Sequence, residues 1–306
     1  MDSVYVILGP TSSGKTSLAL ELCKKFDGAV VSADSRQIIK GMDIGTGKVP
    51  LNSTYEIQNH VNYWTFDGVP VWGYDLATPG EFYSAYDYAS WALPKISELL
   101  EEGKNVFLVG GTGFFIDFVT GRVTPSNVPP NFKLRKELET LELPELQEKM
   151  MSLNLDAFNK VDQNNPARLI RAIEVEVSEK KSPTPLPYLT DINFKFLGLS
   201  GSREVLYARS DSWLDMVWDN GLVEETKKLI ANGFEETKSL NGLIYKSVRG
   251  FLNEEITEEE ARYQAKSDIH AYIRRQQTYF KKIPDVKWFD ISDPTFAEQI
   301  EHHVQS

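Results

Sequence analysis

The sequence is poor in the residues that form disulfides and protein-bound metal sites. It has one cysteine, Cys23, and four histidines among 306 residues, so no disulfide can form within the chain. Cys23 lies in an apolar helical run, where a small buried side chain is the expected role. The histidines are His60, His270, His302 and His303. Because they have no metal-ligand spacing with Cys23 or with one another, we expect no zinc site.

Positive charge and long apolar segments are also scarce. The chain has 33 basic and 44 acidic residues and a net charge of -11, which excludes a protein coated in positive charge, so any RNA site must be a local patch. No apolar run approaches the length of a membrane span, and the first ten residues lack the features of a signal peptide. We therefore expect a cytoplasmic enzyme without a membrane partner, acting as a monomer.

Short apolar runs alternate with helical stretches, which predicts a parallel α/β sheet with crossover helices. The predicted strands are residues 4–8, 29–32, 105–109, 193–199 and 285–291. The predicted helical stretches are residues 15–26, 83–100, 131–180, 203–232 and 257–283. The long helical region in the middle predicts a sheet core interrupted by a helical insertion. The expected boundaries are 1–120 for the first part of the core, 121–190 for the insertion and 191–306 for the completion of the core.

The segment GPTSSGKT fits the phosphate-binding pattern G-x-x-x-x-G-K-[ST] and lies between a predicted strand and a predicted helix. Its glycines let the backbone wrap a phosphate, while its N–H groups and the helix N-terminus supply positive potential. Lys15 adds a mobile cation, and Thr16 offers a hydroxyl to Mg2+. The loop indicates a diphosphate or triphosphate ligand. The expected ligand-binding residues are Gly9, Pro10, Thr11, Ser12, Ser13, Gly14, Lys15 and Thr16.

An acidic residue, Asp34, follows the second predicted strand. Ligands of open α/β sheets bind outside the carboxyl ends of the strands, so Asp34 should lie near the ligand of the P-loop. Its position alone allows three roles: a Mg2+ ligand, a general base or a solvated loop acid. The third strand runs into Gly110 and Gly111 with no acid at its end, which weakens the interpretation as a nucleotide hydrolase.

Three segments together resemble the tRNA dimethylallyltransferase family in their order and spacing. They are GPTSSGKT at 9–16, ADSRQIIKGMDIGTGK at 33–48 and GGTGFF at 110–115. Weaker matches follow in the same order, namely NNPARLIRAIEV at 164–175, the segment Gly221 to Glu224, and IRRQQTY at 273–279. Together these segments are spread over residues 9–279, which is most of the length of the chain.

The resemblance implies a P-loop NTPase-like core with a mainly helical insertion that embraces the tRNA anticodon arm. It implies transfer of a dimethylallyl group from dimethylallyl diphosphate to N6 of adenine 37, with Mg2+ as cofactor. Asp34 would accept the amino proton, Lys15 and Thr16 would complete the catalytic set, and Arg209 would join the diphosphate site. The residues expected at the tRNA are Asp34, Ser35, Arg36, Gln37, Thr112, Arg135, Arg168, Arg171, Arg274 and Arg275.

A basic stripe supports an RNA site near the C-terminus. Basic residues recur every four positions on one predicted helix, at Arg262, Lys266, His270 and Arg274. Residues at this spacing share a helix face, and such a face suits phosphate contacts. The alternative is a solvated face paired with nearby acids.

The chain departs from the family pattern at four places. Val71-Trp72 stands in place of two histidines, Trp213 in place of a second arginine, Ile244 in place of a glycine, and Ile269–Ala271 in place of Thr-Arg-Gln. We expect these changes to fall in the tRNA-facing and C-terminal parts, with the phosphate-binding residues intact.

Three other functions compete with this interpretation. A P-loop small-molecule kinase using ATP would explain the loop but not the segment 33–48. A nucleotide-dependent switch is suggested by Asn159-Lys160-Val161-Asp162, which matches the guanine-reading pattern Asn-Lys-x-Asp, although no apolar strand precedes it. An adenylate prenyltransferase would use free AMP as the acceptor.

Overall fold

A computed structural model describes residues 2–50, 54–61, 63–123, 126, 128–178, 186–189 and 192–305. The chain divides by its contacts into two compact units. The first comprises residues 1–123 and 187–306, and the second comprises residues 124–186. The first unit contains the sheet, and the second is helical in its described part.

The strands of the described residues are β1 (Asp2–Leu8), β2 (Gly28–Ser32), β3 (Ile57–Asn59), β4 (Tyr63–Phe66), β5 (Val69–Trp72), β6 (Asn105–Gly110), β7 (Ile192–Ser200) and β8 (Lys287–Asp290). They form one sheet in the order β3-β4-β5-β2-β6-β1-β7-β8. The strands from β5 to β8 in this order are parallel, whereas β3 and β4 are antiparallel to their neighbours. The strands β1, β2 and β6 are apolar and almost wholly buried, as expected of central parallel strands.

The helices of the described residues are α1 (Lys15–Phe26), α2 (Ala85–Glu101), α3 (Gly113–Val119), α4 (Phe132–Leu138), α5 (Leu143–Leu153), α6 (Leu155–Lys160), α7 (Pro166–Val177), α8 (Arg203–Val217), α9 (Val223–Ala231), α10 (Leu243–Leu252), α11 (Glu258–Phe280) and α12 (Phe296–Gln305). The fold class predicted from the sequence is confirmed. Among the residues described, no helix combines the length and the apolar character that crossing a membrane requires.

Several parts of the first unit differ from the sequence prediction, which did not include α3, α10 or α12. The stretch 203–232 is not one helix, because the π-helical segment Trp218–Leu222 separates α8 from α9 and Gly221 adopts a φ of 117°. The antiparallel ribbon of β3, β4 and β5 was not predicted. Asp67 and Gly68 join β4 to β5 with φ values of 47° and 81°. An Asp-Gly pair between β-forming residues favours this two-residue turn, and it is the signal that the sequence analysis missed.

The second unit contains α4 to α7, packed around a core of its own. Asparagine side chains cap three of its helices, each accepting a hydrogen bond from a first-turn N–H group, at Asn131, Asn154 and Asn165. The buried core residues are Leu138, Leu146, Met150, Phe158, Leu169, Ile170 and Ile173.

A buried lysine holds the long loop that follows β2. The Lys48 side chain is fully buried, and its Nζ donates to the Ile39 carbonyl at 2.6 Å. Its ammonium also contacts the Asp43 carboxylate at 2.9 Å and the Asp75 carboxylate at 2.6 Å. The second Asp75 oxygen accepts a hydrogen bond from Trp64 Nε1 at 2.7 Å. One cation therefore fixes three separate points of the chain.

A carboxylate from α9 fastens the same loop. Glu225 accepts hydrogen bonds from three consecutive backbone N–H groups, those of Asp43 at 2.8 Å, Ile44 at 2.7 Å and Gly45 at 3.1 Å. The Tyr245 hydroxyl donates to the same carboxylate at 2.6 Å. Burial and the neighbouring Glu225 charge raise the pKa of Tyr245 well above its usual value, so this phenol stays a donor.

We expect Lys48→Met to lower the free energy of unfolding by about 3 kcal/mol or more, because Asp43 and Asp75 would lose their shared cation. Chemical denaturation at neutral pH measures the change. The control is Lys104→Met, which removes a surface ion pair with Asp27 and should cost less than about 1 kcal/mol. A Lys48→Met protein as stable as this control would contradict the assignment.

Candidate active site

The carboxyl ends of β1, β2 and β6 meet at one edge of the sheet and open onto a cavity of 580 Å³. The P-loop follows β1, Asp34 follows β2, and Gly111 follows β6. Lys15, Asp34 and Gly111 all line the cavity. The structure therefore brings the phosphate loop and the predicted carboxylate to one chamber.

The predicted diphosphate-binding residues divide into two groups. Those that line the cavity are Thr11, Ser12, Gly14, Lys15, Thr16 and Arg209. Gly9, Pro10 and Ser13 do not line it. Gly9 lies against β7, where a Cβ atom would stand 2.6 Å from the Leu199 carbonyl oxygen, so its role is to permit close packing behind the loop.

The Lys15 ammonium is held against the P-loop by a hydrogen bond from Nζ to the Pro10 carbonyl at 2.7 Å. Burial lowers the pKa of Lys15 to about 8, and the Asp34 carboxylate partly opposes this shift. A bound anion favours the protonated amine. This lysine is thus charged at neutral pH but loses its proton within a mildly alkaline range.

Asp34 is positioned by the contact between β2 and β6. Its Oδ1 accepts a hydrogen bond from the Arg36 N–H at 2.9 Å. The neighbouring Ala33 carbonyl accepts one from the Thr112 N–H at 3.2 Å. At Gly110, a Cβ atom would lie 2.0 Å from the Ala33 carbonyl oxygen, a distance that no side chain tolerates. Glycine at this position is therefore what allows Asp34 to stand beside the end of β6.

Three side chains with hydroxyl groups, Ser35, Thr112 and Tyr272, lie in the neighbourhood of Asp34. Thr112 Oγ1 accepts a hydrogen bond from the Ser35 N–H at 3.0 Å and pairs with Ser35 Oγ at 3.1 Å. Tyr272 of α11 lines the cavity. Burial and the Asp34 charge raise the pKa of Tyr272, and a hydrogen bond with Thr112 partly offsets this rise. Tyr272 therefore keeps its proton at neutral pH.

Gln276 is a site residue that the sequence analysis did not name. This buried side chain accepts a hydrogen bond from the Thr11 N–H at 2.8 Å and donates one to the Gly111 carbonyl at 3.0 Å. It links the P-loop to the end of β6 from α11. The signal for it was its place in IRRQQTY, one of the segments that resemble the family.

Helices α8, α10 and α11 cover the cavity. The lining residues on α8 are Arg209, Trp213 and Met216, those on α11 are Ile269, Tyr272 and Gln276, and those at the start of α10 are Leu243, Ile244 and Tyr245. Their spacing on α8 and α11 places each set on one helix face.

The structure shows where three of the family departures lie. Trp213, Ile244 and Ile269 belong to the C-terminal part of the chain, as expected, and line the same cavity as Lys15. Trp72, by contrast, belongs to the β5 ribbon and stacks on Tyr63. The first three reach this cavity because α8, α10 and α11, which are distant from the P-loop in sequence, fold back over it.

The basic stripe on α11 faces a row of acids with the same spacing, two on α8 and one in the π-helical segment Trp218–Leu222 that follows it. Arg262, Lys266 and His270 contact Asp219, Asp215 and Asp211, respectively, and Arg274 donates to the Tyr207 hydroxyl. His270 also stacks on the Tyr207 ring at 3.8 Å. The first three groups of the stripe therefore join two helices, and the exposed Arg274 and Arg275 lie beyond them.

In the second unit, the arginines expected at RNA have partners of their own. Arg135 and Arg171 both contact the buried Glu174 carboxylate. Burial alone would raise the pKa of Glu174, but its bonds with these arginines lower it below the usual value. Arg168 is exposed and contacts Asp162 at 3.3 Å. The segment 159–162 that mimics a guanine-reading motif spans the end of α6 and follows no strand.

The fold and the site together define a P-loop protein in which the phosphate-binding loop and a carboxylate line one cavity. The family described as IPP transferase matches residues 37–283, and the family described as isopentenyl transferase matches residues 2–64. The tRNA dimethylallyltransferase of Halalkalibacterium halodurans is 32% identical over 98% of this chain and 94% of its own length. That of Acetivibrio thermocellus is 36% identical over 98% of this chain and 95% of its own length.

Solved structures agree with the sequence comparison. The full-length tRNA isopentenylpyrophosphate transferase from Bacillus halodurans has a TM-score of 0.71 at 31% identity, covering 100% of this chain and 96% of that one. A eukaryotic dimethylallyltransferase acting on tRNA shares the fold, with a TM-score of 0.77 at 23% identity over 98% of this chain and 77% of that one. The chain belongs to the tRNA dimethylallyltransferase family.

The pKa of Lys15 predicts how diphosphate binding depends on pH. The affinity for inorganic diphosphate should weaken as the pH rises through about 8, because the bound anion needs the protonated amine that is lost above this value. Isothermal titration calorimetry from about pH 7 to pH 9.5 measures the change. In Lys15→Arg, whose cation keeps its charge over this range, the weakening should vanish. The diphosphate itself also changes its protonation over this range, but it does so equally with the unchanged protein and with Lys15→Arg. Parallel pH profiles of affinity for the two proteins would therefore refute a role for Lys15.

Proposed function

We propose that this chain transfers a dimethylallyl group from dimethylallyl diphosphate to N6 of adenine 37 in tRNA and releases diphosphate. The observation that carries the proposal is the single cavity lined by both Lys15 and Asp34. A cation in a phosphate loop and a carboxylate within one chamber provide for a diphosphate leaving group and for a proton acceptor. Membership of the family supplies the identity of donor and acceptor.

The proposed reaction joins one carbon to one nitrogen. The amino group of adenine is a poor nucleophile because its lone pair is delocalised into the ring. The bond from N6 to the first carbon of the dimethylallyl group forms while the bond from that carbon to the diphosphate oxygen breaks. The N6 proton passes to Asp34, whose Oδ1 is held by the Arg36 N–H, leaving Oδ2 to accept the proton. General-base catalysis of this kind contributes about 10² to 10⁴ in rate.

The leaving group gains negative charge, and the P-loop is suited to receive it. Lys15, Arg209 and the backbone N–H groups of the loop stabilise this charge. Thr16 would hold Mg2+ together with diphosphate oxygens, since hydroxyl and phosphate oxygens are ligands that this ion prefers. Among the described residues, no cluster of three or more His, Cys, Asp or Glu side chains is arranged to hold a metal, which fits an ion that arrives with the donor. The ion would supply positive charge to the departing diphosphate.

The acceptor base must leave its stack to enter the cavity, and an anticodon loop lowers the cost of that step. We assign the recognition of the extruded adenine to Asp34, Arg36 and Gln37, which line the cavity, with Ser35 and Thr112 behind them. Phosphate contacts from the anticodon arm are assigned first to the exposed Arg168, Arg274 and Arg275 and to the insertion 121–190. Arg135 and Arg171 already bind Glu174, so their contribution to RNA binding is expected to be smaller.

The deciding experiment incubates the protein with labelled dimethylallyl diphosphate, Mg2+ and unmodified tRNA, with AMP and ATP as controls. Label should enter tRNA and not AMP, and no ADP should form from ATP. Asp34→Asn and Asp34→Ala should each reduce transfer by about 10² to 10⁴ in rate, while inorganic diphosphate still binds with an affinity close to that of the unchanged protein. Transfer at the unchanged rate by either variant would show that Asp34 is not the base. Formation of ADP, or label in AMP alone, would replace the proposed function by one of its rivals.

A further inference from the structure

The cavity changes from polar to apolar along two antiparallel helices. Near the P-loop its wall carries Arg209 of α8 and Gln276 of α11, with Lys15 beneath. One to two turns further along, α8 presents Trp213 and Met216, and α11 presents Ile269. From Gln276 to Ile269 the helix advances about 10 Å. Along these two helices the wall of the chamber is therefore polar beside the P-loop and apolar further from it.

The Trp213 side chain extends from α8 across the apolar end of the cavity towards the loop after β2. A Cβ atom placed on Gly47 would lie 3.8 Å from Trp213 Cζ2, which is ordinary van der Waals contact. Ile244 and Ile269 are 3% and 5% exposed and line the same chamber. These three side chains present apolar surface, and an aromatic ring contributes the largest part of it.

We propose that Trp213, Ile244 and Ile269 form an end wall that binds the hydrocarbon chain of the allylic diphosphate and limits it to five carbons. Trp213 is the specificity-determining residue. The inference rests on the proposed function for the nature of the donor. Lys15 and Arg209 hold the diphosphate at the charged end, so the attached chain extends along α8 and α11 towards the wall. A longer chain would need the volume that the indole occupies.

The departures from the family pattern at Trp213 and Ile244 support the same interpretation. At position 213 the family resemblance leads one to expect an arginine, and at position 244 a glycine. Tryptophan in place of arginine removes a charge, and isoleucine in place of glycine fills space, so both replacements add apolar volume. Both side chains line one cavity. An indole carries no charge to match a diphosphate, whereas its ring offers a large apolar surface to the hydrocarbon end of the donor.

The test compares dissociation constants for inorganic, dimethylallyl and geranyl diphosphates, the last with ten carbons. In Trp213→Ala the affinity for geranyl diphosphate relative to dimethylallyl diphosphate should rise about tenfold, because the vacated volume accepts the second five-carbon unit. Affinity for inorganic diphosphate should change less than about twofold. The matched control is Trp288→Ala, a partly exposed tryptophan on β8 outside this cavity, and it should leave the ratio unchanged.

Ile244→Ala is a second variant with a smaller perturbation, and it should shift the ratio in the same direction. An unchanged ratio in Trp213→Ala, or in Ile244→Ala should the first variant fail to fold, overturns the end wall. If the ratio shifts but no label reaches tRNA, the wall stands and the proposed acceptor is wrong. If tRNA is labelled but the ratio is unchanged, the proposed function stands and the wall is wrong.

Discussion

The close approach of β2 to β6 is the contact on which the site depends. Parallel pairing brings the ends of both strands to the same edge as the P-loop. Pairing alone does not determine the distance between Asp34 and the P-loop. That distance depends on the contact between Gly110 and the Ala33 carbonyl, which leaves no room for a side chain at position 110. Gln276 then ties the P-loop to the same strand end. Because a base and a phosphate cradle act on one ligand only when both are fixed, these few backbone contacts matter more than any single charge.

An acidic net charge is compatible with an RNA substrate when the basic groups that meet the RNA are concentrated in one place. Several basic groups already bind carboxylates of the protein. Lys48 contacts two aspartates, three basic groups of α11 contact a row of aspartates along α8 and the π-helical segment after it, and two arginines of the second unit contact Glu174. The basic residues that line the cavity are Lys15, Arg36 and Arg209. Focused charge of this kind guides an anionic ligand without coating the surface.

The extent to which the site was predictable follows from how local each signal is. The P-loop is a contiguous pattern, and Asp34 needs only the rule that strand ends in a parallel sheet share one edge, so both were found from the sequence. Gln276, Trp213 and Ile244 reach the cavity through the packing of α8, α10 and α11 over the P-loop, which no periodicity specifies. The basic stripe was visible, but its partners, Asp211, Asp215 and Asp219, lie about fifty residues earlier. Pairing across helices is a tertiary property, and a sequence pattern on one helix does not reveal it.

The hold of Glu225 on three successive N–H groups has a consequence for anion selectivity. Consecutive amides of this kind form a concave nest that attracts phosphate groups, and here the nest lies in the same loop that lines the cavity. The Glu225 carboxylate occupies this nest. A diphosphate that enters the chamber therefore finds these three N–H groups already bound to Glu225, whereas the P-loop lines the same chamber.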